Sequence, residues 1–390
     1  GGGRDRAVGG CGPHQGTTMM ISSTDQRIDR WAETLTGYCT NVQAGDVVAI
    51  IGSPVAEALM RAVYRETLRR DGNPVLLVGM PGTCSDLLQF GNDDQLSYVS
   101  PVDRIPFEDA DVRISMSSET NTRALSGVDA ERQTMRTRAR SQLRQTSMHR
   151  AACGELRWSL TLFPTDAYAL DAEMETDEFA EFVFEACRLN ASDPAAAWQE
   201  QSRLQAAMID RLANHQEIRI IAPETDRTLS IAGRSWINSD GKRNFPSGEI
   251  FTGPVEESVN GHIRFSFPVV TQGRSISDIR LRFQDGRVTD ASAASGEEFL
   301  VRTLDTDAGS RRLGEFAFGT NYGIQRFIKN ILFDEKIGGT VHMAIGAGYP
   351  ETGSLNESSV HWDMICDIRE EGVVTVDGVP FLHQGRYLLD

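Results

Sequence analysis

The sequence predicts an α/β domain on a parallel sheet, followed by a strand-rich α+β domain, and three observations predict it. Short apolar runs alternate with amphipathic stretches over the first half. Beyond His215 strand-like runs and Asp-Gly turns replace them. The 390 residues also exceed what one compact core ordinarily holds, so two domains are expected.

Residues 1–20 are rich in glycine and lack an apolar signal-peptide core, so they read as a disordered or non-native tail. From Ser23 the spacing becomes helical, with Ile28, Trp31 and Leu35 on one face behind a Ser/Thr cap. Residues 46–51 form a buried-strand run ending at Gly52. Pro54 then opens an amphipathic helix to Arg70, which Asp71-Gly72-Asn73-Pro74 breaks. Residues 75–78, 112–116 and 156–163 repeat the strand pattern. Strands alternating with helices imply parallel βαβ units. The Gly52-Ser53-Pro54 turn lacks Gly-x-Gly-x-x-Gly spacing, so no nucleotide is inferred. Six arginines between Glu131 and Arg150 read as a solvated helix face rather than a nucleic-acid contact. Helices over 171–189 and 194–212 close this domain, bounded at 21–215.

The second domain, 216–390, carries strand runs at 218–221, 228–231, 263–270 and 279–283. Asp285-Gly286 and Asp377-Gly378 signal hairpins. One helix is expected where Ile324, Phe327, Ile328, Ile331 and Leu332 share a side.

Asp and Glu number 55 against 39 Lys and Arg, a formal charge of −16. Such a chain is poorly suited to gripping phosphate backbones and draws cations, metal ions and ammonium groups alike. The longest apolar run, 47–60, is interrupted by Gly52, Ser53, Pro54 and Glu57 and is too short to span a bilayer. Six scattered cysteines form no Cys-x-x-Cys pair, which excludes a zinc ribbon or redox motif. They read as reduced, mostly buried thiols in a cytoplasm.

The chemistry gathers in the last third. In an extended strand His361 and Asp363 project to the same face, and an imidazole beside a carboxylate suits a divalent metal, as it also suits a hydrogen-bonded surface pair. His342 lies in a short apolar run between glycines, where a buried imidazole needs a carboxylate, a carbonyl or a metal. Tyr349 follows in a turn-forming stretch. Glu249 and Glu315 stand in apolar strands and are costly to bury unpaired, unless each points outward from an edge. Together these are the side chains of a two-metal hydrolase.

The stretches 235–244, 246–254, Leu313-Gly314-Glu315, 332–342 and 356–363 closely resemble the aminopeptidase T and aminopeptidase S family of metallopeptidases. The likeness covers roughly residues 25–390. It implies metal ligands at Glu249, Glu315, His342, Tyr349, His361 and Asp363, with Glu249, Glu315 and Tyr349 taking part in catalysis. It further implies two divalent ions per chain (Zn, Co or Mn), peptide substrates with a free N-terminus, and a homodimer. Glu315 is the better candidate to bridge both ions, and Tyr349 is either a ligand or an oxyanion donor. Glu335 and Glu351 are the candidate general bases. A second reading is a ring-cleaving dioxygenase of the dihydroxypyridine type, whose fold the C-terminal part resembles. It would hold one Fe(II) by His342, His361 and Asp363, and has no use for Glu249 and Glu315.

Overall fold

The computed structural model describes residues 25–271 and 274–389; the tail expected over residues 1–20 lies outside them. Its first half is the expected α/β unit. Strands Val47–Gly52, Asn73–Val78, Val112–Ser117 and Arg157–Leu162 all run parallel, with the first between the second and third. Glu57–Arg69 is the crossover helix between the first two strands, a connection that parallel pairing requires. Alternate residues Val48, Ile50, Val112, Ile114 and Met116 bury one face against Ile28, Trp31, Leu59 and Val63. The fifth strand of this sheet, Asn244–Phe245, comes from beyond residue 215, and Phe245 enters the same core.

The second half contains an eight-stranded antiparallel sheet and a five-stranded antiparallel sheet. The latter runs His361–Cys366, Val341–Gly346, Leu313–Gly319, Glu249–Thr252, Ile237–Ser239. Ile218, Ile220, Leu229, Ile263 and Leu281 of the larger sheet share a core with Ile250, Phe316, Phe318, Met343 and Met364 of the smaller. Both expected hairpins form. Asp285 and Gly286 (φ 48° and 78°) and Asp377 and Gly378 (φ 46° and 81°) make two-residue left-handed turns that match strand twist.

Several expectations are corrected. The helix expected through Ile324 to Leu332 is absent, leaving only the short turn Ile331–Asp334. Asp334 accepts from the Ile328 and Asn330 amides, and Lys329 has φ 63°, so the backbone donors a helix needs are already taken. Ile324 and Ile328 are nevertheless buried, packing into the core of the parallel-sheet half. A helix the pattern did not suggest, Glu297–Leu304, buries Leu300 and Leu304. The expected strand over 263–270 divides into Asn260–Phe265 and Val269–Thr271. The helix expected over 171–189 starts only at Thr176, capped by Glu175, while Pro194–Leu212 forms as expected.

The arginine stretch is two helices, Ala130–Ala139 and Ser141–Ala152, with Arg138 and Arg144 exposed as expected but Arg132, Arg136, Arg140 and Arg150 half-buried. Arg132 donates to the Leu88 and Gly91 carbonyls, Arg136 to those of Leu96 and Tyr98, and Arg150 to that of Phe107. Of the described cysteines Cys39, Cys187 and Cys366 are buried, but Cys84 and Cys153 are exposed.

Candidate metal centre

The register of the five-stranded antiparallel sheet assembles the centre. Glu249 stands opposite Gly319, Ala317 opposite His342, Ala344 opposite both Glu315 and Asp363, and Gly346 opposite His361. Directly opposed residues share a face, as do residues two apart along a strand. Glu249, Glu315, His342, His361 and Asp363 therefore all project from one face. The alternate residues Ile250, Phe316, Phe318, Met343, Trp362 and Met364 fill the core behind it. Each of the five ligand-type side chains faces a glycine or alanine on a neighbouring strand, which leaves room above the sheet between them.

Side-chain hydrogen bonds fix the two ends. Gln205, fully buried on helix Pro194–Leu212, donates to the Glu249 carbonyl at 2.8 Å and to Asn238 Oδ1 at 2.7 Å. Gly248 precedes Glu249 at φ 115°, and a Cβ there would lie 2.7 Å from that of Asn321. Asn321 in turn donates to the Ser247 carbonyl at 2.9 Å. At the other end Asp307 accepts from the Ser359 amide and from the Ser358 and Ser359 hydroxyls, steadying the approach to His361.

His342 Nε2 lies 3.4 Å from Glu249 Oε2 and 3.4 Å from Glu315 Oε1. His361 Nε2 lies 3.5 Å from Glu315 Oε2 and 3.6 Å from Asp363 Oδ1. Glu315 thus spans the two imidazoles, one oxygen toward each. His361 Nδ1 sits 2.8 Å from the Ala347 carbonyl, which can only accept, so Nδ1 carries the proton and Nε2 turns its lone pair toward the carboxylates.

Burial pushes Glu249 up to about 7, and burial with repulsion from Glu335 pushes Asp363 up to about 6. For His342 burial opposes protonation, but Glu315 and Glu249 outweigh it and raise the imidazole to about 9. These are groups competing for too few protons.

Tyr349 reaches the same space from the loop after Gly346. Its ring packs edge-on against His361, centroids 5.2 Å apart, and lies 5.3 Å from that of Phe251. Burial, then the charges of Glu315 and Asp363, hold its phenol well above the usual range. Of the two candidate bases only Glu335 joins the cluster, with its carboxylate, Glu249 and His342 offering atoms within 4.8 Å of one another. Glu351 is exposed on the turn Pro350–Thr352.

Sequence reasoning did not single out Lys336, a fully buried lysine 3.6 Å from Glu249 Oε1 and in contact with Glu335. Burial alone would lower its pKa, but Glu249 and Glu335 raise it above the ordinary value. The available signal was an Asp334-Glu335-Lys336 run entering a Gly-Gly turn, which does not reveal that the lysine turns inward.

The donor set fits divalent cations. Glu249 Oε2 and His342 Nδ1 are buried without a hydrogen-bond partner, which is costly unless something else satisfies them. Glu315, His342 and Asp363 also offer atoms within 4.8 Å of one another. Two carboxylates beyond a His-His-Asp triad, Glu249 and Glu315, lie inside the same cluster, more than a single Fe(II) calls for.

The thermophilic metalloprotease (M29) family matches residues 24–387. Aminopeptidase 2 of Geobacillus stearothermophilus is 33% identical over 273 residues, covering 60% of this chain and 65% of that enzyme, just under two thirds of its length. Wild-type AmpT from Thermus thermophilus shares the fold with a TM-score of 0.79 at 24% identity, over 93% of this chain and 99% of that one. The 2,5-dihydroxypyridine dioxygenase of Pseudomonas putida KT2440 shares it more distantly, with a TM-score of 0.60 at 14% identity over 94% of this chain and 98% of that one, a likeness of fold alone. With nearly its whole described length matched, the chain belongs to the thermophilic metalloprotease (M29) family.

Proposed function

We propose that the chain is an aminopeptidase that releases N-terminal residues from peptides with the help of two divalent cations. The observation that carries this is Glu315 spanning the two imidazoles, with Glu249 beyond one and Asp363 beyond the other. One cation would be held by Glu249, His342 and Glu315, the other by Glu315, His361 and Asp363, with Tyr349 beside the second imidazole. Zn, Co and Mn all accept this mixed oxygen and nitrogen set. Such a pair, when bound, lowers the pKa of a shared water toward neutrality and polarises a carbonyl.

The chain's own residues supply the rest. Glu335, beside the cluster, accepts the proton of the attacking water and passes it to the leaving amine. Lys336 sets a positive charge beside Glu249 and Glu335. The protonated Tyr349 phenol suits donation to the tetrahedral oxyanion. The surplus of carboxylates favours the ammonium of a free N-terminus. A cavity of about 180 Å³ opens beside His361 and Asp363, walled by Phe327, Ile331 and Ile365, and receives the first side chain.

We also take the chain to act in the cytoplasm as a homodimer. Unpaired cysteines suit a reducing compartment, and no described helix is long and apolar enough to cross a membrane. Sedimentation giving only a 43.0 kDa species at micromolar concentration would remove the dimer. The activity is tested with leucine p-nitroanilide and its N-acetyl derivative. Hydrolysis confined to the free amine, abolished by chelation and restored by Zn, Co or Mn, is expected. Equal cleavage of the blocked substrate would contradict an aminopeptidase.

A further inference from the structure

The parallel sheet has a second face, opposite its apolar core, that its helices cover incompletely. Ile51, Ser115, Leu160 and Trp158 floor a cavity there of about 490 Å³, within the range of about 300–1,000 Å³ usual for small-molecule sites. They come from three neighbouring strands, Ile51 paired with Ser115, Ser115 with Leu160, and Arg113 with Trp158. All are only half-buried, whereas strands in the middle of a parallel sheet are ordinarily covered on both faces. Leu143 and Phe107 wall the gap, with Arg113, Arg136, Arg140 and Arg144.

The charges around it do not balance. Asp103 lies 2.8 Å from Arg140 and 3.7 Å from Arg136, one carboxylate for two guanidiniums. Among the described residues no carboxylate pairs with Arg113 or Arg144. Arg113 donates to the Ser147 hydroxyl at 3.0 Å and lies by the Phe107 and Trp158 rings, 5.0 and 5.8 Å from their centroids. Arg144 reaches the Thr137 carbonyl at 3.4 Å. Burial lowers the Arg113 pKa, the mark of a guanidinium that lacks a compensating anion. A chain of net charge −16 therefore concentrates positive charge in one apolar-floored cavity.

We propose that this cavity binds a small organic carboxylate with an aromatic or branched aliphatic body, its anion held by Arg113 and Arg144. Planar guanidinium forks match a carboxylate, and Trp158, Phe107, Leu143 and Leu160 give the body an apolar seat. An inorganic anion would leave most of the volume unfilled. A polyphosphate would lay its charge over Ile51 and Leu160. The site shares no residue with the carboxylate cluster, so its test needs no peptidase activity.

The test is calorimetric titration of the full chain with phenylacetate, its uncharged amide and inorganic phosphate, with Trp158 fluorescence followed in parallel. Saturable one-to-one binding of phenylacetate is expected, with the amide and phosphate about tenfold weaker or more. Arg113→Gln and Arg144→Gln should each weaken phenylacetate by about tenfold. Because Arg144 is exposed, its variant keeps the test decisive if loss of Arg113 disturbs folding. The proposal is overturned by absence of saturable phenylacetate binding, by equal binding of acid and amide, or by undiminished binding to the Arg144→Gln chain. A single-stranded oligonucleotide that displaces phenylacetate and loses affinity with Arg144 would also overturn it, in favour of nucleic acid.

Discussion

The two five-stranded sheets each bury one apolar face, and their other faces carry opposite charge. On the antiparallel sheet the polar face is deeply enclosed, with Glu249 and Glu315 each 5% exposed and Lys336 and His342 at 0% and 1%. On the parallel sheet the second face is half-open, and its arginines bond to carbonyls and to one aspartate. Burying like charges against one another is costly unless protons, a buried cation or bound metal offset them, because their mutual repulsion grows as water is excluded. The enclosed acidic face is therefore suited to cations, and the open basic face is not.

The largest expected effect breaks that contrast directly. Glu315→Gln keeps the side chain's shape and removes the charge between the two imidazoles. It should fold, lose more than about 100-fold in kcat/KM and bind less than the full metal complement. Asp363→Asn tests the other end of the cluster with the same readouts. Normal turnover and metal content in either variant would remove that residue from the site.

Next comes Lys336→Met. Removing the buried Lys336 ammonium beside Glu249 and Glu335 should cost about 3–5 kcal/mol of stability in the chelated protein, measured by denaturant unfolding. The loss should shrink when cations are added. An unchanged midpoint would show that the acidic cluster does not rely on this lysine.

A smaller effect follows from protonation. Asp363 is raised from 3.8 to about 6, Glu249 from 4.5 to about 7, and His342 from 6.5 to about 9. A raised native pKa means that the folded chain holds the proton more tightly than the unfolded one. Each group therefore stabilises fully below its lower value and ceases to as pH rises through its upper value. Cations replace those protons, and they bind more tightly as pH rises. The Tm gap between metal-loaded and chelated protein should widen from about pH 5 to about pH 8; a constant or narrowing gap would contradict this.

The smallest effect lies on the basic side. Arg132→Gln, which gives up donation to the Leu88 and Gly91 carbonyls, should cost about 1 kcal/mol and leave turnover and metal content unchanged. A loss of metal would show that the two sheets are coupled.

How far the sequence revealed these features differs between them. The parallel strands were legible as continuous apolar runs, although the run over 75–78, expected to be buried, leaves Leu76 and Val78 exposed. His361 and Asp363 were legible as neighbours because strand period alone puts them on one face. That Glu249, Glu315 and His342 share that face depends on register, which no single strand states; the glycines and alanines opposite them were the unread clue. The helix expected through Ile324 to Leu332 failed because Asp334 captures two backbone donors, a side-chain contact that apolar spacing does not encode. The arginine stretch was only partly legible for a similar reason. Arg132, Arg136 and Arg150 reach carbonyls more than 35 residues away, and composition shows charge but not contacts.

Elemental analysis of the purified, cation-saturated chain alongside leucine p-nitroanilide turnover tests the central claim most directly. Two divalent ions per chain, with turnover that falls as they are chelated and returns as they are restored, is the expected result. One tightly held iron with O₂-dependent activity, or peptidase turnover indifferent to chelation, would contradict it.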